Sequence, residues 1–161
     1  MKNLYLLRHA QAGSALSVDD KDRPLSDHGI KQTGIIAPHL KEIDLCLCSS
    51  AKRTCMTLQG LEENGVQIKR VEYLDSLYNA PMGDILSELQ KCTENNILII
   101  AHNPGIHQLA GNLADTGDKM QLEKVKLFYQ PATLSIFECE IDQWNHIHLQ
   151  ANKLTDLVIP D

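Results

Sequence analysis

A guanidinium beside an imidazole, Arg8-His9, closes the apolar run Leu4-Tyr5-Leu6-Leu7, and a second imidazole, His102, follows the apolar run Ile97-Leu98-Ile99-Ile100-Ala101. A third run, Leu45-Cys46-Leu47-Cys48-Ser49-Ser50, leads into a helical pattern whose first turn carries Arg53. Guanidiniums can hold the oxygens of a tetrahedral anion through paired N–H groups and stay charged throughout. A neutral imidazole nitrogen can attack an electrophilic centre. Each stretch alone also fits a plainer reading, in which a strand-end arginine makes a surface ion pair and a histidine caps a turn. Three such stretches in one chain favour chemistry.

Continuous apolar runs bounded by polar residues read as buried strands of a parallel sheet, and ligands of open α/β sheets bind beyond the carboxyl ends of the strands. Arg8, His9, Arg53 and His102 would meet there on one dianion, with a helix N-terminus adding partial positive charge. Phosphoryl transfer is catalysed mainly by positioning and by electrostatic stabilisation of the equatorial oxygens. At an effective dielectric of about 20 each guanidinium contact supplies on the order of 4 kcal/mol. Four cationic groups can therefore serve without a metal or other cofactor, and the chain has no Walker-type glycine loop. Placement alone leaves open which histidine is the nucleophile.

In order along the chain, Arg8-His9-Ala10, Ser49-Ser50-Ala51-Lys52-Arg53-Thr54 and Ala101-His102-Asn103-Pro104-Gly105 resemble the motifs of the histidine phosphatase (phosphoglycerate mutase-like) superfamily. The segment from Asp20 to Gly29 and the His-Asn-Pro-Gly turn at 102–105 resemble the short SixA-type phosphohistidine phosphatases within it. The resemblance implies a phosphatase that passes through a phosphohistidine intermediate on His9, with Arg8, Arg53 and His102 as phosphoryl contacts. Neighbouring positive charge would help keep His9 unprotonated, as attack requires.

One departure narrows the substrate. Many members carry a Leu-x-Glu segment whose acid protonates the leaving oxygen, whereas the matching residues here are Leu77-Tyr78-Asn79. Loss of a positioned acid costs about 10² to 10⁴ in rate for a poor leaving group. A phosphoramidate is more labile, so the substitution points to phosphohistidine, unless Asp75 or one of Asp19, Asp20 and Asp22 stands in. The expected partner is a phosphohistidine-bearing protein such as a phosphotransfer domain of a two-component or sugar-transport system. A small phosphorylated metabolite is the alternative substrate, and a catalytically silent phosphate-binding module a third reading. Arg23 and Asn103 are the expected substrate contacts. Pro24 holds residue 23 extended, so that Arg23 either reaches out toward a phosphoryl oxygen or pairs with Asp20 or Asp22 and orders its loop.

At 161 residues the chain suits one domain, expected to span 1–161. A net charge of −6 argues against a nucleic-acid binder, since backbone affinity needs a broad basic surface. Met1-Lys2-Asn3 runs directly into a strand and no apolar run approaches about 18 residues, so neither a leader nor a membrane span is expected, and the location is expected to be cytoplasmic. Five cysteines, Cys46, Cys48, Cys55, Cys92 and Cys139, lie in element patterns and read as reduced, mostly buried residues.

The elements that must position these groups alternate strand and helix, predicting an α/β fold: a single three-layer α/β/α domain, its central sheet mostly parallel with an antiparallel edge near the C-terminus. After the polar loop from Gln11 to Pro24, a helix capped by Ser26 runs to about Lys41 and should kink or end early at Pro38. Further helices are expected from Ala51 to Asn64, stopped by Gly65, from Pro81 to Cys92, and from Gly105 to Ala114. Lys69–Tyr73 reads as a strand, Ala114–Asp118 as a turn, and Met120–Lys126 as a short helical or loop segment. Strands at Ala132–Glu140 and Ile147–Ala151 should form a hairpin around residues 142–145, at or near the sheet edge. His146 and His148 would share one solvated face of the second strand. His28, His39 and His107 are left outside the site.

Overall fold

The protein is described by a computed structural model covering residues 1–14 and 16–160. Ala15, inside the expected loop, and Asp161, at the end of the expected domain, lie outside the described residues. Strands β1 (Lys2–Arg8), β2 (Leu45–Ser49), β3 (Val71–Leu74), β4 (Asn96–Ala101), β5 (Ala114–Gly117), β6 (Leu134–Cys139) and β7 (Asn152–Val158) form one sheet in the order β3-β2-β4-β1-β6-β7-β5. The pairs β1–β4, β2–β4, β2–β3 and β5–β7 are parallel, whereas β6 runs antiparallel to both β1 and β7. The three strands carrying the chemistry, β2, β4 and β1, are adjacent, so their carboxyl ends form one ledge.

Alternation along these strands explains the layers. Leu4 and Leu6 of β1, Leu45 and Leu47 of β2, and Ile97 and Ile99 of β4 pack on one face with helices α3 (Met82–Gln90), α4 (Gly105–Leu113) and α5 (Lys119–Leu127). Tyr5, Leu7, Cys46, Cys48, Leu98 and Ile100 face the other way, onto α1 (Asp27–Ile36) and α2 (Lys52–Glu63). Burial on both faces is what makes these runs apolar without a break. A fully buried Leu or Ile contributes about 1.5–3 kcal/mol, so the central strands carry much of the burial that holds the ledge in place.

The helix boundaries follow local chemistry. Ser26 Oγ accepts from the Gly29 N–H at 3.0 Å, capping α1 as expected. Pro38 ends that helix at Ile36 and confines Ala37–His39 to a single 3-10 turn. Gly65, at φ 93°, follows the last turn of α2, with its N–H donating to Glu62 O and that of Val66 to Leu61 O. Among the described residues no helix is long and apolar enough to cross a membrane.

The C-terminal third corrects the sequence reading. Ala114–Gly117 is the edge strand β5, not a turn, and it pairs with β7. The second strand of the hairpin lies at Asn152–Val158 instead of Ile147–Ala151, and residues 144–146 form a 3-10 turn. His146 and His148 therefore do not share a strand face. The β6–β7 pairing is antiparallel as expected, one strand in from the edge.

Candidate active site

Arg8 is the last residue of β1 and His9 the next, while His102 stands one residue beyond β4. The His9 N–H donates to Ala101 O at 3.1 Å, tying the two strand ends together. The imidazole centroids of His9 and His102 lie 5.2 Å apart. Arg53 enters from the first turn of α2, 4% exposed, its backbone carbonyl accepting from Thr57 Oγ1 at 2.7 Å. Thr57 Oγ1 in turn accepts from the Ala10 N–H at 3.0 Å, which fixes the start of α2 against the end of β1. Arg8, His9, Arg53 and His102 line one cavity of about 290 Å³, with Arg23, Asn79 and Asn103 at its wall. A larger groove of about 360 Å³, beside His107 and Lys126, gathers no comparable set of cations.

Hydrogen bonds fix the tautomer of His9. Its Nδ1 lies 2.8 Å from Ala10 O, and since a carbonyl can only accept, Nδ1 carries the proton and Nε2 keeps its lone pair. Burial above all, and then the charges of Arg53, Arg8 and Arg23, push the His9 pKa down to about 4, against the opposing pull of the Ala10 carbonyl. His102 is pushed down to about 3, first by burial and then by His9 and Arg53. Both imidazoles are therefore neutral near pH 7. His102 Nε2 lies 2.8 Å from Ser49 Oγ, which accepts weakly from the Ala51 N–H at 3.4 Å. The hydroxyl can donate to Nε2 or accept from it, so this bond holds the ring in place in either tautomer. His102 Nδ1 is buried and has no partner.

The arginines have spare donors. Arg8 Nη1 donates to Tyr129 O at 3.0 Å, yet its buried Nε has no acceptor. Arg53 Nη1 donates to Asp20 O at 2.7 Å and Nη2 to Asp20 Oδ2 at 3.1 Å, and its buried Nε is likewise unpartnered. Leaving buried donors unpaired costs about 1–3 kcal/mol each, and more where the group is charged. Two such guanidiniums, with two imidazoles, line one small cavity, a set suited to an acceptor-rich anion. The N-termini of α2 and α4, at Arg53 and beside His102, add partial positive charge.

The remaining expected residues divide. Arg23 lines the cavity and also pairs with Asp20, its Nη1 donating to Oδ1 at 3.1 Å and its Nε to Gly13 O at 3.3 Å. Asn103 lines the cavity while its Nδ2 donates to Tyr129 O at 2.9 Å. Asn79 occupies the wall in a left-handed conformation, φ 50°, and offers no acid. Asp75 accepts from Ser50 Oγ and from Lys21 Nζ, the latter at 3.0 Å, and is held below its ordinary pKa by those bonds. Asp20 is held well below the usual carboxylate range, first by the Tyr78 hydroxyl and then by Arg23 and Arg53. Neither carboxyl keeps a proton to give near neutrality. Among the described residues no three His, Cys, Asp or Glu side chains are grouped to hold a metal.

Sequence reasoning passed over three contributors. Tyr78 donates to Asp20 Oδ2 at 2.5 Å and stands edge-on to His102, 5.6 Å between centroids. Ser49 orients His102. Tyr129 acts through its backbone carbonyl, which no side-chain pattern reveals; its buried hydroxyl lies 2.8 Å from Leu6 O. Two close backbone approaches fix the walls: a Cβ on Gly105 would lie 2.0 Å from Ala80 O, and one on Gly29 2.2 Å from Gln11 O.

A parallel-centred α/β sheet with histidines and arginines gathered at its strand ends is the arrangement of a phosphate-handling enzyme. Residues 4–85 match the histidine phosphatase superfamily (branch 1), and the chain belongs to that family. Two uncharacterised proteins of Mycobacterium tuberculosis, from strains CDC 1551 / Oshkosh and ATCC 25618 / H37Rv, are each 31% identical over 114 residues, 67% of this chain and 70% of theirs. A structure from Nakamurella multipartitia assigned as the phosphohistidine phosphatase SixA superposes with a TM-score of 0.82 at 26% identity, covering 99% of this chain and 96% of that one. Another so assigned, from Agrobacterium tumefaciens, gives 0.78 at 26% identity over 99% of both chains. The protein histidine phosphatase SixA complexed with tungstate, at 18% identity and a TM-score of 0.75 over 96% and 95% of the two chains, shares the fold.

Proposed function

We propose that this chain is a phosphohistidine phosphatase that removes the phosphoryl group from a histidine of a phosphotransfer protein. The observation that carries the reading is the fixed tautomer of His9, which leaves Nε2 its lone pair on a residue that shares one cavity with Arg8, Arg23, Arg53 and His102. In the first step Nε2 attacks phosphorus in line, a new N–P bond forms on His9, and the substrate imidazole leaves with the electron pair of its N–P bond. Arg8, Arg53 and His102 hold the equatorial oxygens, with Arg23 and Asn103 as outer contacts. Water then attacks the phosphohistidine, releasing inorganic phosphate and restoring His9. The amide of Asn79 supports the choice of substrate, because the imidazole of a phosphoramidate leaves without the positioned acid that an alkoxide needs.

A second reading, hydrolysis of a small phosphorylated metabolite, is favoured by the segment Asp20–Asp22, which reaches across to the opposite rim through Lys21–Asp75 and Asp20–Tyr78. One experiment separates the two. The protein is mixed with a phosphotransfer domain radiolabelled on histidine and, in parallel, with a panel of phosphomonoesters. The proposal requires faster turnover of the former, a trapped acid-labile phosphoenzyme, and loss of both in His9→Ala. Preferential turnover of a metabolite, or undiminished label in His9→Ala, would sink it.

A further inference from the structure

We infer that Asp20 is a positioning residue that aims the Arg53 and Arg23 guanidiniums at the phosphoryl oxygens, and that the Tyr78 hydroxyl holds Asp20 in place to do so. The inference rests on the phosphoryl-binding reading of the cavity, not on the identity of the group that carries the phosphate.

Asp20 lies outside the cavity, yet two of the cavity's cations are fastened to it. Its backbone carbonyl accepts from Arg53 Nη1 at 2.7 Å, Oδ2 accepts from Arg53 Nη2 at 3.1 Å, and Oδ1 accepts from Arg23 Nη1 at 3.1 Å. Two acceptors on one residue grip the terminal edge of the Arg53 fork, taking one N–H each from Nη1 and Nη2 and leaving the second N–H of each, with Nε, unused by Asp20 on a side chain that lines the cavity. Arg23, with Nε on Gly13 O and Nη1 on Asp20, is left with the two N–H groups of Nη2 and the second of Nη1. A long side chain free to rotate would present no fixed edge.

Tyr78 completes the device from the opposite rim. Its hydroxyl donates to the same Oδ2 at 2.5 Å, while its ring lies 5.8 Å from the Arg53 guanidinium carbon and edge-on to His102. One aromatic side chain thus touches the carboxylate, the cation it orients and a second cavity residue. Oδ2 with two donors is full, and Oδ1 with one has a single lone pair left. The Asp20 side chain is 47% exposed, so holding the core together is not its task. An ionised carboxylate also has no proton to deliver, which separates it from the missing acid.

The test uses inorganic phosphate as probe beside two phosphoryl donors, a phosphohistidine protein and p-nitrophenyl phosphate. Asp20→Asn puts an amide donor where one guanidinium or the phenol now donates, so at least one grip is lost. Affinity for phosphate should fall, and kcat/KM for both donors should fall by a common factor on the order of 10- to 100-fold, because both present the same oxygens. The thermal midpoint should not move. Tyr78→Phe, which deletes one oxygen, should shift all three readouts the same way by less, and it decides the matter if Asp20→Asn fails to fold. In an Arg53→Ala background the further loss from Asp20→Asn should shrink to the part acting through Arg23, a non-additivity that a separate role would not produce. Unchanged or tighter phosphate binding, the latter marking Asp20 as a competing anion, would overturn the inference, as would losses that multiply fully in the double variant. If the wild type ignores phosphohistidine but Asp20→Asn still weakens phosphate, the proposed substrate falls and the positioning role stands.

Discussion

Lowering the pH from 7 to 5 should cost the protein about 4 kcal/mol of stability while leaving its catalytic groups in working form. Both buried imidazoles, His9 at 8% and His102 at 2% exposure, have pKa values pushed down to about 4 and about 3. The unfolded chain returns each to about 6.5 and so binds more protons than the native state between that value and the depressed one; stability must fall as pH drops through the window. At pH 5 each site has lost about 1.5 units' worth, or about 2 kcal/mol at 1.36 kcal/mol per unit. Asp20, Asp44, Asp75 and Glu94, whose pKa values are lowered, add a loss of the same sign only below about pH 4.5, outside this range. Urea unfolding at pH 7, 6 and 5 would read the change as a midpoint lowered by about 2 M, for a slope near 2 kcal/mol/M. His9→Asn should remove about half of it. Over the same interval kcat/KM, corrected for the substrate's own ionisation, should stay level, because His9 Nε2 keeps its lone pair until about pH 4. A midpoint that does not move, or activity lost with an apparent pKa near 6.5, would refute the argument that burial and the arginines keep these rings neutral.

Arg8→Ala should lower kcat/KM by about 10² to 10³, the scale for deleting one transition-state donor, with steady-state kinetics as the check and a change below tenfold counting against its role. Asn79→Asp should raise turnover of phosphoserine by at least about tenfold by supplying an acid at the wall, since aspartate tolerates the left-handed conformation there, and a parallel assay on phosphohistidine should show little gain. Gly105→Ala should destabilise by about 1–3 kcal/mol or more in thermal unfolding, because the new methyl would overlap the Ala80 carbonyl; a neutral result would mean that the β3–α3 loop gives way.

The ledge was legible because its strands are buried on both faces and therefore apolar without interruption, so that the polar residues ending each run, Arg8, His9 and His102, stood out. The end of α1 and the stop of α2 were legible from Pro38 and Gly65. β7 was not, because a register shift against β6 between Ile136 and Phe137 changes the phase of burial from Asn152 and Leu154 to Leu157, breaking the alternation that marks a half-buried strand. β5 is four residues of Ala-Asp-Thr-Gly with one buried, and only its distant partner makes it a strand. Within the site, residue types announced the cations, but the contacts that orient them run through Tyr129 O, Asp20 O and Ala10 O, main-chain atoms that every residue possesses.

Gly105 begins α4 directly against the carbonyl of Ala80, and Gly29 sets the first turn of α1 against that of Gln11, each without room for a methyl group. At these two points helix and loop are spaced by main chain resting on main chain, a spacing that does not depend on the side chains projecting into the cavity. Arg23 and Asn103 also tie Gly13 O, Asp20 and Tyr129 O, so of the wall residues it is Asn79 whose replacement can alter what the opening accepts with those ties left in place.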